Sequence, residues 1–421
     1  MMSRRLHLLP LLATQATGLL CGLLGLSLAS TLIAPEVLGT YGLLISAHTL
    51  AAFVTHQGLI RHVQRTWTAS SSIGRYSRQL FPALSRSTAW LAIGTGIVII
   101  YLRHGAGVDV GWSWWAWLLA VNIMAFAAHV GHALLQAEQR YWADFAVSSV
   151  GSLTRTFLPL SFAWLAGAEL GSLAVGFIAH NALWLGAAAV ALLPILRRGI
   201  SGSASEEVEP ADAMKAFLGV GITGWIAQNA PRWLAANVLD AENTGYFILA
   251  SNLTIVVPAA ISAIGNAYTF PSLFADHRTG SDADALRHRT QRDAAMAVLA
   301  GQVALVAIAG LWPWLVGPLV SIRYDSAVNW LLAAGGGTLA TVSASFYCNL
   351  LLALGRERDC LRLMVFSTAA RLLILGTCSL GTDLGLFSFA SATLALPTYL
   401  LESWLVRRWL GARKQNGRGK D

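Results

Sequence analysis

The chain is 421 residues long, 55% hydrophobic and only 12% charged, where a soluble domain carries about a quarter of charged residues. A mean hydropathy of +0.57 is more apolar surface than soluble cores of this size can bury, which excludes an ordinary cytosolic enzyme and makes lipid the main solvent. Lys and Arg number 29 against 21 Asp and Glu, a net +8, so nucleic acid, acidic lipid and an acidic substrate all stay open until the charges are placed.

Apolar stretches of about 17 to 25 residues, enough to cross a bilayer as a helix, begin near Leu8, Leu38, Phe81, Ser113, Phe145, Gly171, Ala216, Thr244, Ala294, Ala327, Leu363 and Leu386. This order predicts an all-α polytopic membrane protein of about twelve transmembrane helices, with nothing between them large enough to fold alone. The first stretch follows Arg4 and Arg5 but runs past Leu26 without a convincing cleavage site, so it is expected to be a retained span and not a signal peptide. Its stripe of Gly18, Gly22, Gly25 and Ala29 suits close helix contact. Between the sixth and seventh stretches lies the most polar linker, 201–213, with Glu206, Glu207, Glu209 and Asp212. It reads as a solvated cytoplasmic tether joining an N-terminal six-helix bundle (1–200) to a C-terminal one (214–421).

Sorting the basic residues along this layout places 24 on the side of the N-terminus, two (Arg103 and Arg323) on the other, and three inside helices. The asymmetry predicts that both termini are cytoplasmic and turns most of the positive charge into an orientation signal, with no nucleic-acid partner implied. Many of the sixteen tryptophans fall where helices meet headgroups: Trp112, Trp114, Trp115, Trp117, Trp312, Trp314 and Trp330 on one side, Trp67, Trp142 and Trp409 on the other. Cys21, Cys348, Cys360 and Cys378 lack metal-ligand spacing and read as unpaired packing residues.

The two halves echo each other. Thr17, Gly18, Glu36 and Gly39 recur 206 residues later as Thr223, Gly224, Glu242 and Gly245. Leu134, Leu135, Arg140 and Arg155 recur after 216 residues as Leu350, Leu351, Arg356 and Arg371, and Glu169, Leu170 and Gly171 return as Asp383, Leu384 and Gly385. An even helix count per half makes these parallel repeats about an axis along the membrane normal, an arrangement that places cargo at a central cavity.

The chemistry lies in the three intramembrane arginines. Arg155 and Arg371 sit too deep to snorkel easily, at a cost of about 2.5 to 3.5 kcal/mol each. None of the acids is expected deep in a helix, since Asp144, Asp293 and Glu402 fall near cytoplasmic ends and Glu36, Glu169, Asp240, Glu242 and Asp383 near outer ones. Both arginines are therefore expected to be unpaired and to offer a wet, cationic cavity to phosphate or another anion; the competing reading is helix packing through backbone carbonyls. Arg232 is a third candidate, with Gln228, Asn229 and Asn237 nearby and Pro231 bending its helix. His48, His129 and His180, together with His56 and His132, could relay protons for coupling or simply bond neighbouring helices. Thr338, Thr341, Ser345 and Asn349 share one helix face and could line a cavity or pack. No phosphate-cradling Gly-Lys-Ser/Thr loop, His-Glu metal motif or nucleophile elbow occurs, so neither an enzyme nor a resident cofactor or metal is expected.

Residues 34–41 (APEVLGTY), the second helix ending in Gln57, Gly58, Leu59 and a basic loop, and the stretch from Phe217 through Thr244, Gly245 and Tyr246 to Pro271 together resemble the polysaccharide flippases. That family belongs to the superfamily of multidrug extruders and the flippase of the peptidoglycan lipid precursor. The resemblance implies a flippase for O-antigen, capsule or exopolysaccharide in the bacterial inner membrane. Its cargo would be an oligosaccharide on undecaprenyl diphosphate, moved by alternating access, with polysaccharide polymerase and chain-length machinery as further partners. It also implies a cationic lumen, to which Arg155, Arg232 and Arg371 are the matching residue types. A cation-coupled drug exporter on the same fold should want a deep Asp or Glu. A membrane polymerase or glycosyltransferase should want a longer outer loop than the roughly fifteen residues present here, and a lipid II flippase two further helices.

Overall fold

The structure, a computed structural model, describes residues 2–55, 73–104, 111–138, 140–196, 210–259, 261–262, 273, 276, 282–316, 319–380 and 384–417. His56, Trp67, the Gln57–Gly58–Leu59 motif, most of the 201–213 linker, Pro271 and Asp383 lie outside the described residues. The described chain is helical: α1 (Met2–Leu32), α2 (Pro35–Thr55), α3 (Ile73–His104), α4 (Ser113–Ala137), α5 (Tyr141–Ala166), α6 (Leu170–Leu196), α7 (Pro210–Val238), α8 (Ala241–Thr254), α9 (Ala283–Gly310), α10 (Val328–Ala353), α11 (Glu357–Leu380), α12 (Leu384–Thr393) and α13 (Ala395–Gly417). A 3-10 segment, Ile322–Ala327, leads into α10. Each expected apolar stretch begins in one of these helices, apart from Ala327, which closes the 3-10 segment. Among the described residues, five helical segments are long and apolar enough to cross a bilayer by themselves: Ser113–Ala137, Leu170–Ile195, Ala283–Gly310, Ile322–Ala353 and Arg358–Cys378.

The chain divides into two compact units, Met1–Ile222 and Thr223–Asp421. In lipid, helices associate through close van der Waals contact because the hydrocarbon competes for apolar faces, so small residues mark the seams. In the first unit, Gly25 faces the γ-methyl of Thr156 on α5, and the Gly18 position lies 3.9 Å from Ser152 Oγ. The glycine stripe of α1 thus holds α5 close, although Gly22 meets nothing within 4 Å. Pro159 lies inside α5, and Gly176 of α6 packs against it: a Cβ there would lie 2.5 Å from Pro159 Cα and 2.8 Å from the Leu158 carbonyl oxygen. In the second unit α10 is the central helix, 83% of its apolar window being buried. Gly336 lies against the backbone oxygens of Ser391 and Ala392, and Ser391 Oγ donates to the Ala333 carbonyl at 2.6 Å.

The repeat suspected from the sequence is visible in the backbone. After α4, Glu138 N donates to Leu134 O at 3.0 Å and Arg140 N to Leu135 O at 2.8 Å; after α10, Leu354 N donates to Leu350 O at 3.0 Å and Arg356 N to Leu351 O at 2.7 Å. Gly355, at φ +67°, takes the left-handed conformation that such a six-to-one closure requires. At the other offset, Ile33 N to Ala29 O matches Leu239 N to Ala235 O, and Leu38 N to Ala34 O matches Thr244 N to Asp240 O. Both units therefore end and restart their helices at corresponding residues.

Several expected membrane anchors turn out to be structural. Trp112, Trp142 and Trp314 are exposed, but Trp117, Trp312 and Trp330 are buried. Trp117 Nε1 donates to the Ala174 carbonyl at 3.0 Å and Trp312 Nε1 to Asp325 Oδ1 at 3.3 Å. The indole N–H found a protein acceptor, which draws the ring inward and not to the headgroups. All four cysteines are free thiols.

Candidate functional site

In the first unit the candidate residues gather around α5. Arg155, midway along that helix, remains exposed, yet its charge acts on Tyr41 of α2, His129 of α4 and His180 of α6. Its charge is thus felt by groups on three neighbouring helices. Among the described residues no carboxylate pairs with it. His180 Nδ1 lies 2.8 Å from Thr154 Oγ1, and its ring stacks on Trp184 at 5.8 Å and 13°. His129 meets the same indole edge-on at 4.8 Å. His48 is buried with its ring edge-on to Phe177 at 5.2 Å, and Phe177 in turn contacts His180 at 5.3 Å. The three proposed coupling histidines thus belong to one imidazole and indole cluster.

A second chain of hydrogen bonds borders this cluster. Trp184 Nε1 donates to His132 Nε2 at 3.1 Å. Since an indole nitrogen can only donate, His132 carries its proton on Nδ1, which faces Asp144 Oδ1 at 2.5 Å. Gln136 Nε2 donates to the other oxygen, Asp144 Oδ2, at 3.0 Å. Gly151 makes room for the indole, because a Cβ there would come within 2.8 Å of Trp184 Nε1.

The second unit corrects one expectation. Arg371 is not unpaired: its Nη2 lies 3.0 Å from Glu402 Oε1, with side chains only 4% and 0% exposed. Ser367 Oγ accepts from the same Nη2 at 2.8 Å and itself donates to Glu402 Oε1. Helical Cα–Cβ bonds tilt toward the N-terminus, so the long Arg371 side chain reaches back one turn to Ser367, where Glu402 of α13 lies. Among the described residues, Arg371 Nε and Nη1 meet no hydrogen-bond partner, whereas the Ser343 hydroxyl also acts on the Glu402 carboxylate.

The remaining candidates lie elsewhere in the second unit. Arg232 Nη2 donates to Asn252 Oδ1 at 3.0 Å. Asn229 is buried and folds back on its own helix, Nδ2 donating to the Trp225 carbonyl at 3.1 Å, while Gln228 is exposed. Thr338 and Thr341 bond to carbonyls of their own helix, at 2.9 Å to Gly335 and 2.7 Å to Thr338, which favours packing. Groups of three or more metal-binding side chains are absent among the described residues.

No protein-family profile matches the chain, and no curated protein does. Solved structures do. An inward-facing multidrug resistance MATE family transporter of the MOP superfamily superimposes with a TM-score of 0.68 at 16% identity, covering 94% of this chain and 96% of its own. The chain has the fold of the MOP-superfamily transporters. A MOP superfamily transporter from Pyrococcus furiosus, described as having a binding pocket of reverse polarity, matches at a TM-score of 0.60 and 12% identity over 96% of this chain and 94% of its own. The lipid II flippase MurJ, in an inward closed conformation, matches at 0.63 and 10% identity over 96% and 87%. The MOP fold and the apolar helices make this a multi-pass membrane protein.

Proposed function

We propose that the protein is a transporter of the bacterial inner membrane, both termini cytoplasmic, which flips an oligosaccharide linked to undecaprenyl diphosphate for surface polysaccharide synthesis. Polysaccharide polymerase and chain-length machinery would be its downstream partners. The observation that carries this reading is Arg155, a guanidinium midway along a helix of the bundle, its charge felt by Tyr41, His129 and His180 and answered by no described carboxylate. A charge at such a depth is costly unless it meets water or an anion, and a diphosphate or acidic sugar is such an anion. Alternating access then needs only that the cargo bind the two end states differently. The fold shared with a lipid II flippase is compatible with lipid-linked cargo.

The test is genetic and chemical. In a strain lacking its own copy, Arg155→Ala at normal protein abundance is expected to abolish surface polysaccharide and accumulate the lipid-linked oligosaccharide, read by mass spectrometry. Normal export would defeat the proposal.

A cation-coupled multidrug exporter is the second reading, and two buried carboxylates favour it. Glu402 and Asp144 are 0% and 5% exposed, and such a protein uses acids of this kind. Efflux of a cationic dye that survives Arg155→Ala and fails in Glu402→Gln would select it.

A further inference from the structure

An open groove of about 690 Å³ runs between α11 and α13. Its walls are apolar, with Phe366, Ala369 and Leu373 on α11 facing Leu401 and Trp404 on α13, and Arg408 stands at one end. Phe366, Leu373 and Trp404 are 53%, 69% and 53% exposed. From Phe366 to Leu373 the floor rises about 10 Å at 1.5 Å per residue, a third of the roughly 30 Å hydrocarbon core. A groove of that depth suits the headgroup-proximal part of one acyl chain.

The charges at its mouth are unevenly answered. Asp359 takes Arg356 at 2.6 Å and Arg362 at 3.2 Å. Arg356 also donates to the Trp409 carbonyl at 3.3 Å, which ties the start of α11 to the far part of α13. Arg408 has no carboxylate in reach among the described residues, and its guanidinium lies over the Trp404 ring, 5.3 Å from the centroid. A cation held on an indole keeps its outer N–H donors available, and Trp404 and Arg408 carry the amphipathic chemistry of an interfacial site.

We infer that this groove binds one anionic glycerophospholipid of the bilayer, its phosphate on Arg408 and an acyl chain between Phe366 and Trp404. Basic pockets between transmembrane helices recognise anionic headgroups in this way. Here the apolar length gives affinity and Arg408 gives the choice of headgroup. The site is independent of the proposed cargo: it needs only a membrane containing anionic lipid.

Purified, delipidated protein can be titrated with phosphatidylglycerol and with phosphatidylcholine of identical chains, and the adducts counted by native mass spectrometry. Wild type is expected to hold one phosphatidylglycerol about fivefold more tightly than phosphatidylcholine. Arg408→Gln should reduce that ratio to near one, and Arg408→Lys should restore most of it. Ala369→Trp, which fills the groove at an exposed position, should remove both adducts. Equal affinity for the two lipids in wild type, an unchanged ratio in Arg408→Gln, or a dimer whose interface covers the groove in place of lipid would each overturn the inference. Melting temperatures of the lipid-free variants, expected to match wild type, separate lost binding from lost folding.

Discussion

Arg155 and Arg371 stand 216 residues apart at corresponding points of α5 and α11, yet their surroundings have diverged. Arg371 has Glu402, whereas the corresponding stretch of α6, around Gly186 and Ala188, offers no acid. Taking an ion pair out of water costs much of what its attraction returns, but breaking one after it is buried leaves a stranded charge. Glu402→Ala and Arg371→Ala are each expected to destabilise the protein by about 3 to 5 kcal/mol. The double change Arg371→Met with Glu402→Leu should recover most of that, read as the detergent melting midpoint. If the single changes leave the midpoint unmoved, the pair is not what joins α11 to α13. Among the described residues Arg155 has no carboxylate partner to strand, so Arg155→Ala should cost little stability while removing transport. The two arginines looked alike in the sequence because depth along a helix was the only coordinate to hand. Glu402, near a helix end, seemed out of reach; the length and backward tilt of Arg371 close the gap, and neither enters a count of residues. Similarly, Trp184 carries no signal in the sequence and Asp144 reads only as an acid near a helix end, because they meet His132 only after α4, α5 and α6 have packed.

At the scale of elements, glycine and proline positions decide which helices touch. Gly176 of α6 lies against the backbone at Leu158 and Pro159, and Gly336 of α10 against the carbonyls of Ser391 and Ala392; in each a Cβ would meet backbone, which cannot move aside. A Cβ added at Gly186 or Gly376 would meet nothing within 4 Å, so both positions are internal controls. Gly176→Ala and Gly336→Ala are expected to lower the melting midpoint and the yield of folded protein. Gly186→Ala should be neutral or slightly stabilising, since alanine also favours the helix by about 1 kcal/mol. Equal behaviour of all three would show that the seams are looser than described. The existence and order of helices were legible because each is a long apolar run. The break at Leu394 that separates α12 from α13 was not, because Pro397 permits either a kinked single helix or two, and packing on α10 chooses.

On the scale of the whole molecule, the two units reuse one backbone plan, down to matching hydrogen bonds after α4 and α10, while their polar chemistry differs. The first holds an arginine among histidines with no described carboxylate beside it, and the second a buried ion pair. Duplication followed by divergence explains why the repeat reads most clearly at helix ends, where backbone closure constrains the residues, and least in helix interiors, where it does not. Charge distribution sets how this plan lies in the bilayer. With 24 basic residues assigned to one side and two to the other, translocation of the basic loops is disfavoured, and the twelve spans expected from the sequence would return the chain to its starting side. A fluorescent protein that matures only in the cytoplasm, fused after Asp421, is expected to fluoresce. Alkaline phosphatase, active only when exported, should be active when fused within 105–110 beside Arg103 and inactive when fused after Arg140. Activity after Arg140 would invert the orientation and, with it, the leaflet from which cargo is taken; Arg408 and its lipid groove would then face the opposite side as well.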